Sequence, residues 1–282
     1  MSHWCSPYLE IYEKDIQTIS TSVITHIRDR LKRYKQENPT ISIVVIAYNE
    51  ERRLLSCLWS LGDQICDESM ELIVVNNNST DKTEDLLKAL DIMYYNETRK
   101  GPGFARQCGL DHAKGQYVVC IDADTLYRPR HIDLHIKILR RPDVSCATSL
   151  WSFVPSPGRS GFSMIIYEIL RDFYLALQFV KRPELCVRGS TFSFKSEFAK
   201  KIGFRTDIIR GEDGSLALAL KKYGKIAFIR DRRARVLTGY GAFKADGSLF
   251  NSFKIRLSKA IKSFPSLFSQ KTNYKDEDSN LI

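Results

Sequence analysis

The feature that most constrains this chain is an alternation that begins at Ile41. Ile41–Ala47 is a short run of apolar, mostly β-branched residues. It lacks the polar–apolar alternation of a half-exposed strand, so it suits a strand buried on both faces, as in a parallel sheet. Leu54, Leu55, Leu58 and Leu61 then recur at helical spacing. Glu71–Val75, Ile92–Tyr95 and Tyr117–Ile121 predict three further strands. Between them the sequence predicts a helix from Asp81 through Leu90 and another from Pro102 to Ala113. Asp81 and Glu84 read as N-cap and N3 partner of the first, and Pro102 sits near the start of the second, where a missing N–H is tolerated. Parallel strands need a crossover rather than a hairpin, so the alternation predicts an α/β fold with a mostly parallel central sheet flanked by helices.

Both flanks read differently. In residues 1–39, Ile16, Ile19, Val23, Ile27 and Leu31 predict a helical preface packed on the main domain, ended by Pro39. After Ile121 the pattern is less regular. Ser156–Gly161 reads as a loop, Phe162–Val180 and Glu212–Tyr223 as helices, and Cys186–Phe194, Lys225–Ile229 and Ala234–Thr238 as strands. Residues 241–282 hold an amphipathic helix over Leu249–Phe264, with Phe250, Phe253, Leu257, Ile261 and Phe264 on one side, and a polar tail. The main domain is therefore set at 40–240, in halves 40–125 and 126–240.

Composition narrows the partners. The 282 residues are 43% hydrophobic, enough for a sizeable core. The net charge of +10 is spread along the chain, with short concentrations at Arg28–Lys35 and Arg230–Arg235. Neither resembles a nucleic-acid-binding module, which leaves phosphorylated ligands, anionic lipid or simple solvation. The seven cysteines include no C-x-x-C pair and no Cys/His group at zinc-ligand spacing, as expected of reduced thiols in a cytoplasmic protein. Glu10, Glu13 and Lys14 stand where a signal peptide would be apolar, and the longest apolar stretch, Phe162–Val180, is interrupted by Glu168, Arg171 and Asp172. A cytoplasmic location is expected, with peripheral membrane contact if the basic helix near Phe250–Phe264 rests on lipid rather than on the protein.

The chemistry gathers at strand ends. Asp122-Ala123-Asp124 follows the fourth strand. Ligands of open α/β sheets bind at such ends, and a carboxylate there can hold Mg²⁺ or Mn²⁺, which completes its shell with phosphate oxygens. Taken alone, the triplet could equally be a polar turn. Its neighbours favour a site: Ala47-Tyr48-Asn49-Glu50 follows the first strand, Asn76–Asp81 follows the second, and Gly101-Pro102-Gly103 with Arg106 opens a helix whose free N–H groups suit phosphate.

On these segments, together with Gly211-Glu212-Asp213, the chain resembles the inverting family 2 glycosyltransferases of bacterial type, with the GT-A fold. The resemblance spans roughly Thr40 to Tyr240 and makes 40–125 the nucleotide-binding half and 126–240 the acceptor half. It implies metal-dependent transfer of a sugar from a UDP- or GDP-sugar to an acceptor hydroxyl in glycan or polysaccharide synthesis. By the resemblance, Ala47, Tyr48 and Glu50 line the base pocket, Arg106, Asp122 and Ala123 contact the donor nucleotide, and Asp124 holds the metal. Asp213 is implied as catalytic base, with Arg188, Gly189 and Glu212 beside donor and acceptor sugars; Arg188 could instead be a surface cation, and Glu212-Asp213 simple helix N-terminal acids. Two departures stand out. Asn76 and Asn77, which the resemblance places against the donor base, replace an acidic pair, and all five histidines precede Trp151, so a late His ligand is absent. The cation then relies on Asp124, diphosphate and water.

Rivals lack their motifs. No G-x-G-x-x-G follows the first strand, no P-loop is present, and the Gly-rich basic loop of a nucleotidyltransferase is missing. Asn76-Asn77 keeps open a catalytically inactive nucleotide-sugar-binding scaffold. A glycan or lipid-linked acceptor fits the reading; the oligomeric state is not legible.

Overall fold

The computed structural model of this protein describes residues 3–155 and 161–239. The elements run α1 (Ser6–Ile11), α2 (Thr21–Leu31), β1 (Ile41–Ala47), α3 (Leu54–Gly62), β2 (Met70–Asn76), α4 (Thr83–Ala89), β3 (Tyr94–Asn96), α5 (Pro102–His112) and β4 (Tyr117–Asp122). They continue with α6 (His131–Leu139), β5 (Val144–Ser149), β6 (Trp151–Phe153), α7 (Gly161–Lys181), β7 (Ser193–Lys195), α8 (Ser196–Ile202), α9 (Glu212–Leu220), β8 (Lys225–Ile229) and β9 (Val236–Thr238). The predicted helix over Leu249–Phe264 and residues 156–160 of the predicted loop lie outside the described residues.

Seven strands form one sheet in the order β3-β2-β1-β4-β7-β5-β8. β3, β2, β1 and β4 are mutually parallel, and β7 enters antiparallel between β4 and β5. β6 and β9 pair in a separate parallel ribbon. The continuous apolar run of β1 has a plain cause. Ile41, Ile43, Val45 and Ala47 face one core with α2, α3 and α6, while Val44 faces the other with α5 and α9. Ile43 and Val45 are fully enclosed, each worth roughly 1.5–3 kcal/mol of transfer free energy.

Three expectations need correction. The preface is not one helix. Glu13 sits at φ 61° with its N–H on the Arg52 carbonyl, and Ile16–Thr18 forms a separate 3-10 turn, so Ile16 and Ile19 fall off the α2 stripe. Cys186–Phe194 is not a strand. Pro183–Cys186 and Gly189–Thr191 are 3-10 turns, and only Ser193–Lys195 pairs in the sheet. Asp81 is not the N-cap of α4. Lys82 holds that position, Asp81 accepts from the Thr83 N–H two residues on, and Glu84 turns to Tyr94 and Asn96.

Four elements escaped the sequence patterns. β5 reads Val-Ser-Cys-Ala-Thr-Ser and is buried throughout because its hydroxyls find partners: Thr148 meets Thr191 at 3.0 Å and Ser149 donates to the Ala234 carbonyl. α6 buries His131 and His135, whose rings lie 4.4 Å apart. Burial pushes the His131 pKa down to about 4 and His135 down as well, so both are neutral residues of the core. β6 and α8 are too short for periodicity to reveal.

Candidate active site

The parallel register lines up the carboxyl ends of the strands. Ala47, Asn76 and Asn96 share one row, and Asp122 lies level with Ile46. The loops beyond them are stitched together. Asn49 and Asn78 take left-handed backbone, which Asn tolerates. The Thr80 N–H donates to Asn49 Oδ1 at 2.8 Å, Glu50 N–H to Thr83 Oγ1 at 2.9 Å, and Glu51 N–H to Asp81 Oδ2 at 3.1 Å. Ser79, Thr80 and Asp81 therefore hold the loops in shape.

The two asparagines that replace the acidic pair have structural partners. Asn77 donates to the Glu97 and Arg99 carbonyls and accepts from the Gly101 N–H, tying β2 to the start of α5. Asn76 donates to Asn96 Oδ1 at 2.8 Å. An amide can donate and accept at once, which a carboxylate cannot, and Asn77 uses both capacities here. Beside them Ala47 is buried, while the Tyr48 ring is 43% exposed, with Lys100 Nζ 5.2 Å from its centroid. Gly103 serves packing: a Cβ there would overlap the Arg205 carbonyl.

Arg106 is the centre of the first charged cluster. It is fully buried. Its Nη1 donates to the Ile121 carbonyl at 3.0 Å, Nη2 is paired with Asp122 Oδ1, and Nε lies 3.6 Å from Asp213 Oδ1. It thus joins the end of β4 to the first turn of α9. Gly189 lies against this pair, and a Cβ would collide with both the guanidinium and the Asp213 carboxylate. Burial drives the Asp213 pKa up and Asp122 adds to it, while Arg106, Arg188 and a hydrogen bond from the Gly189 backbone oppose the rise. Burial and Asp213 also push Glu212 up. Gly211 begins α9 with φ 92°. Arg188 stacks its guanidinium 5.5 Å from the Trp151 ring centroid. Tyr127 is also fully buried, and its hydroxyl accepts from the Asp122 N–H at 3.1 Å.

The second cluster surrounds Asp124. Thr125 Oγ1 donates to its carboxylate at 3.0 Å, Arg53 Nη1 lies 4.0 Å from Oδ2, and Arg53 Nε is 2.9 Å from Glu50. Tyr12, from the preface, donates its hydroxyl to the Asp124 carbonyl at 2.8 Å. A Cβ on Gly239 would press on Tyr12 Oη and Asp124 Oδ2. Burial and Asp124 push the Glu50 pKa up to about 8, and Arg53 opposes the rise. Burial and Asp122 push Asp124 up too. Mutual repulsion among Glu50, Asp122 and Asp124 is relieved by added positive charge, which fits a divalent cation. Among the described residues no group of three or more His, Cys, Asp and Glu is arranged to hold a metal.

The fold therefore brings Asp122, Ala123, Asp124, Arg106, Arg188, Gly189, Glu212 and Asp213 to one edge, with Ala47 and Asn76 ending β1 and β2 and Tyr48, Glu50 and Asn77 on the loops just beyond. Arg106 acts first on Asp122 and Asp213, so any hold it has on a nucleotide runs through them. Sequence reasoning missed Tyr12, Arg53 and Tyr127. Arg53 carried a signal, because it stands three residues after Glu50 at the start of a helix. Tyr12 carried none.

Residues 42–203 match the family description "Glycosyl transferase family 2". The chain belongs to that family. It is 27% identical over 238 residues to the UDP-Glc:alpha-D-GlcNAc-diphosphoundecaprenol beta-1,3-glucosyltransferase WfaP of Escherichia coli, covering 79% of this chain and 86% of WfaP. It is 25% identical over 190 residues to the uncharacterized glycosyltransferase MJ1057 of Methanocaldococcus jannaschii (64% of this chain, 63% of that protein). It is 32% identical over 133 residues to the glycosyltransferase SunS of Bacillus subtilis (46% and 29%). The chain thus spans less than two thirds of the length of MJ1057 and SunS. In structure it resembles the mannosyltransferase PcManGT of Pyrobaculum calidifontis, in complex with GDP-Man and Mn²⁺, with TM-score 0.58, 22% identity and coverage of 89% and 73%. It also resembles glucosyl-3-phosphoglycerate synthase of Mycobacterium tuberculosis, in complex with Mn²⁺, UDP-Glc and phosphoglyceric acid, with TM-score 0.53, 20% identity and coverage of 85% and 84%. These likenesses show the GT-A fold. Within the family 2 match, the β1–β4 sheet and its loops supply one wall of the site, and α9, beyond residue 203, supplies Asp213.

Proposed function

We propose that this family 2 chain transfers a sugar from a nucleoside-diphospho-sugar to an acceptor hydroxyl, with inversion, in glycan synthesis. The observation that carries the reading is Arg106, buried between the D-x-D carboxylate Asp122 and the first-turn carboxylate Asp213. It fixes a donor-side and an acceptor-side group in one rigid unit. Asp213 serves as the base that takes the acceptor proton. The acceptor oxygen bonds to the anomeric carbon as the bond to the diphosphate breaks, and the electron pair leaves with the diphosphate. Burial raises the Asp213 pKa toward the working range of a base, and Arg106 keeps the ionised form accessible.

Asp124 would hold a Mg²⁺ or Mn²⁺ ion, which stabilises charge on the departing diphosphate. Tyr48, with Ala47 and Glu50, forms the base pocket; Asp122 and Ala123 meet the ribose side, and Asn76 and Asn77 shape the loop walls. Arg188, Gly189 and Glu212 line the sugar side. The ligands named for the relatives, GDP-Man, UDP-Glc and UDP-GlcNAc, support a UDP- or GDP-sugar as donor. The diphosphoundecaprenol acceptor in the WfaP name supports a lipid-linked acceptor.

A donor panel with Mn²⁺ or Mg²⁺ tests this. Release of one nucleoside diphosphate, lost in Asp124→Ala and Asp213→Asn, is expected. Nucleotide binding without turnover, even with a broad acceptor mixture, would leave only a donor-binding scaffold.

A further inference from the structure

α7 is built inside out. Its 21 residues extend about 30 Å. Ile165, Ile169, Leu170, Phe173, Leu177 and Val180 all face outward, with Phe173 65% and Val180 76% exposed. At about 100° per residue they share an arc of about 140° that holds no charged side chain. The polar residues turn inward instead. Glu168 accepts from the Ser152 hydroxyl and the Phe153 N–H, Asp172 pairs with Arg171 and Arg235, and Arg171 and Gln178 are buried. Ordinary surface helices do the reverse, and a continuous apolar face of this size marks an interaction surface.

Charge identifies the occupant. Both acids of α7 are engaged by the protein, so the exposed face carries no negative charge of its own. Near its C-terminal end stand the exposed Lys181 and Lys221, while Arg182 turns inward onto buried Glu184, which Lys221 also approaches. A second copy of the chain would bring the same lysines and the same +10 net charge to the contact. An anionic bilayer complements both, taking the apolar arc among its acyl chains and the cations at its headgroups. Among the described residues no helix is long and apolar enough to cross a membrane, so the contact is interfacial. Placement agrees. The chain runs from α7 through the Pro183–Cys186 turn directly to Arg188 and Gly189, beside Asp213.

We propose that the outward face of α7 docks flat on an anionic membrane and so brings the sugar-accepting side of the site to the lipid surface. This extends the reading of a lipid-linked acceptor and places the contact on α7, not on the Leu249–Phe264 helix that the sequence suggested.

The test is co-sedimentation of the full chain with vesicles of phosphatidylcholine alone or mixed with phosphatidylglycerol. Wild type should pellet with the mixed vesicles, and Ile169→Glu/Phe173→Glu should lower the bound fraction about tenfold or more. An unchanged melting temperature and unchanged nucleotide binding would show that the variant is folded. Failure of wild type to bind, or equal binding by the variant, overturns the proposal, the second result by moving the contact to another segment. A wild-type dimer that the variant dissociates, with no vesicle binding, overturns it in favour of a second copy. Donor turnover on the same samples separates the two readings: turnover without vesicle binding sinks only the membrane contact, and vesicle binding without turnover sinks only the transferase.

Discussion

The two charged clusters at the strand ends solve opposite problems. Around Arg106 opposite charges are brought together: the guanidinium is buried, paired with Asp122 and close to Asp213, and Gly189 packs so tightly against them that a Cβ would clash. Around Asp124 the balance is left open. Glu50, Asp124 and the nearby Asp122 repel one another, Arg53 answers only in part, and the Glu50 and Asp124 pKa values rise. One cluster has a fully buried cation at its centre, which fixes geometry even though the Asp213 and Glu212 pKa values stay raised. The other has surplus negative charge that an arriving cation and donor would relieve. The proposed transfer, with a cation arriving together with the donor, calls for that division.

The comparison can be broken most severely at Asp213. Asp213→Asn should lower kcat by roughly 10²–10⁴-fold with donor binding kept, because only the base is lost. A loss of donor affinity instead, read by titration calorimetry, would make Asp213 a binding group. Next comes Gly189→Ala, whose methyl must push Arg106 away from Asp213. We expect a kcat decrease of about 100-fold with little change in donor KM, since misplacement by about 1 Å has that order of effect. A near-normal kcat would show that the closed cluster is softer than its packing implies.

Tyr12→Phe probes the open cluster from the preface. It removes the hydrogen bond on the Asp124 carbonyl and should raise the half-saturating Mn²⁺ concentration about tenfold, with kcat recovered at high metal. A kcat that stays low at saturating metal would mean that Tyr12 acts on chemistry rather than on metal binding. The last effect is on stability. Glu50 has a folded pKa of about 8, above its ordinary 4.5, so its contribution is present below about 4.5 and is lost as pH rises toward 8. In metal-free protein, Glu50→Gln should therefore gain stability relative to wild type between pH 5 and pH 8, by about 3–4 kcal/mol, while losing activity. Thermal melts at the two pH values check this, and a gain that persists with Mn²⁺ and nucleoside diphosphate bound would refute a cation-relieved cluster.

The β1–β4 half was legible because its information is local. A strand buried on both faces must be apolar at successive positions, as Ile41–Ala47 and Tyr117–Asp122 are, and the helices between them show their own period. The other half was less so. β5 hides as a polar-looking segment because Ser145, Thr148 and Ser149 bond to Gly224, Thr191 and Ala234, partners far away in sequence. Cys186–Phe194 has the composition of a strand, yet it turns at Gly189 to meet Arg106.

The sequence by itself determined the parallel sheet, the D-x-D at the end of β4 and the acids opening α9, since each is written in neighbouring residues. Only the tertiary structure decided that Arg106 would join Asp122 to Asp213, that Tyr12 would cross from the preface to Asp124, and that α7 would turn its apolar face outward. Periodicity shows that a helix has an apolar side, but which side meets solvent depends on what packs against the other, and here Trp151–Phe153 and Arg235 claim the polar one.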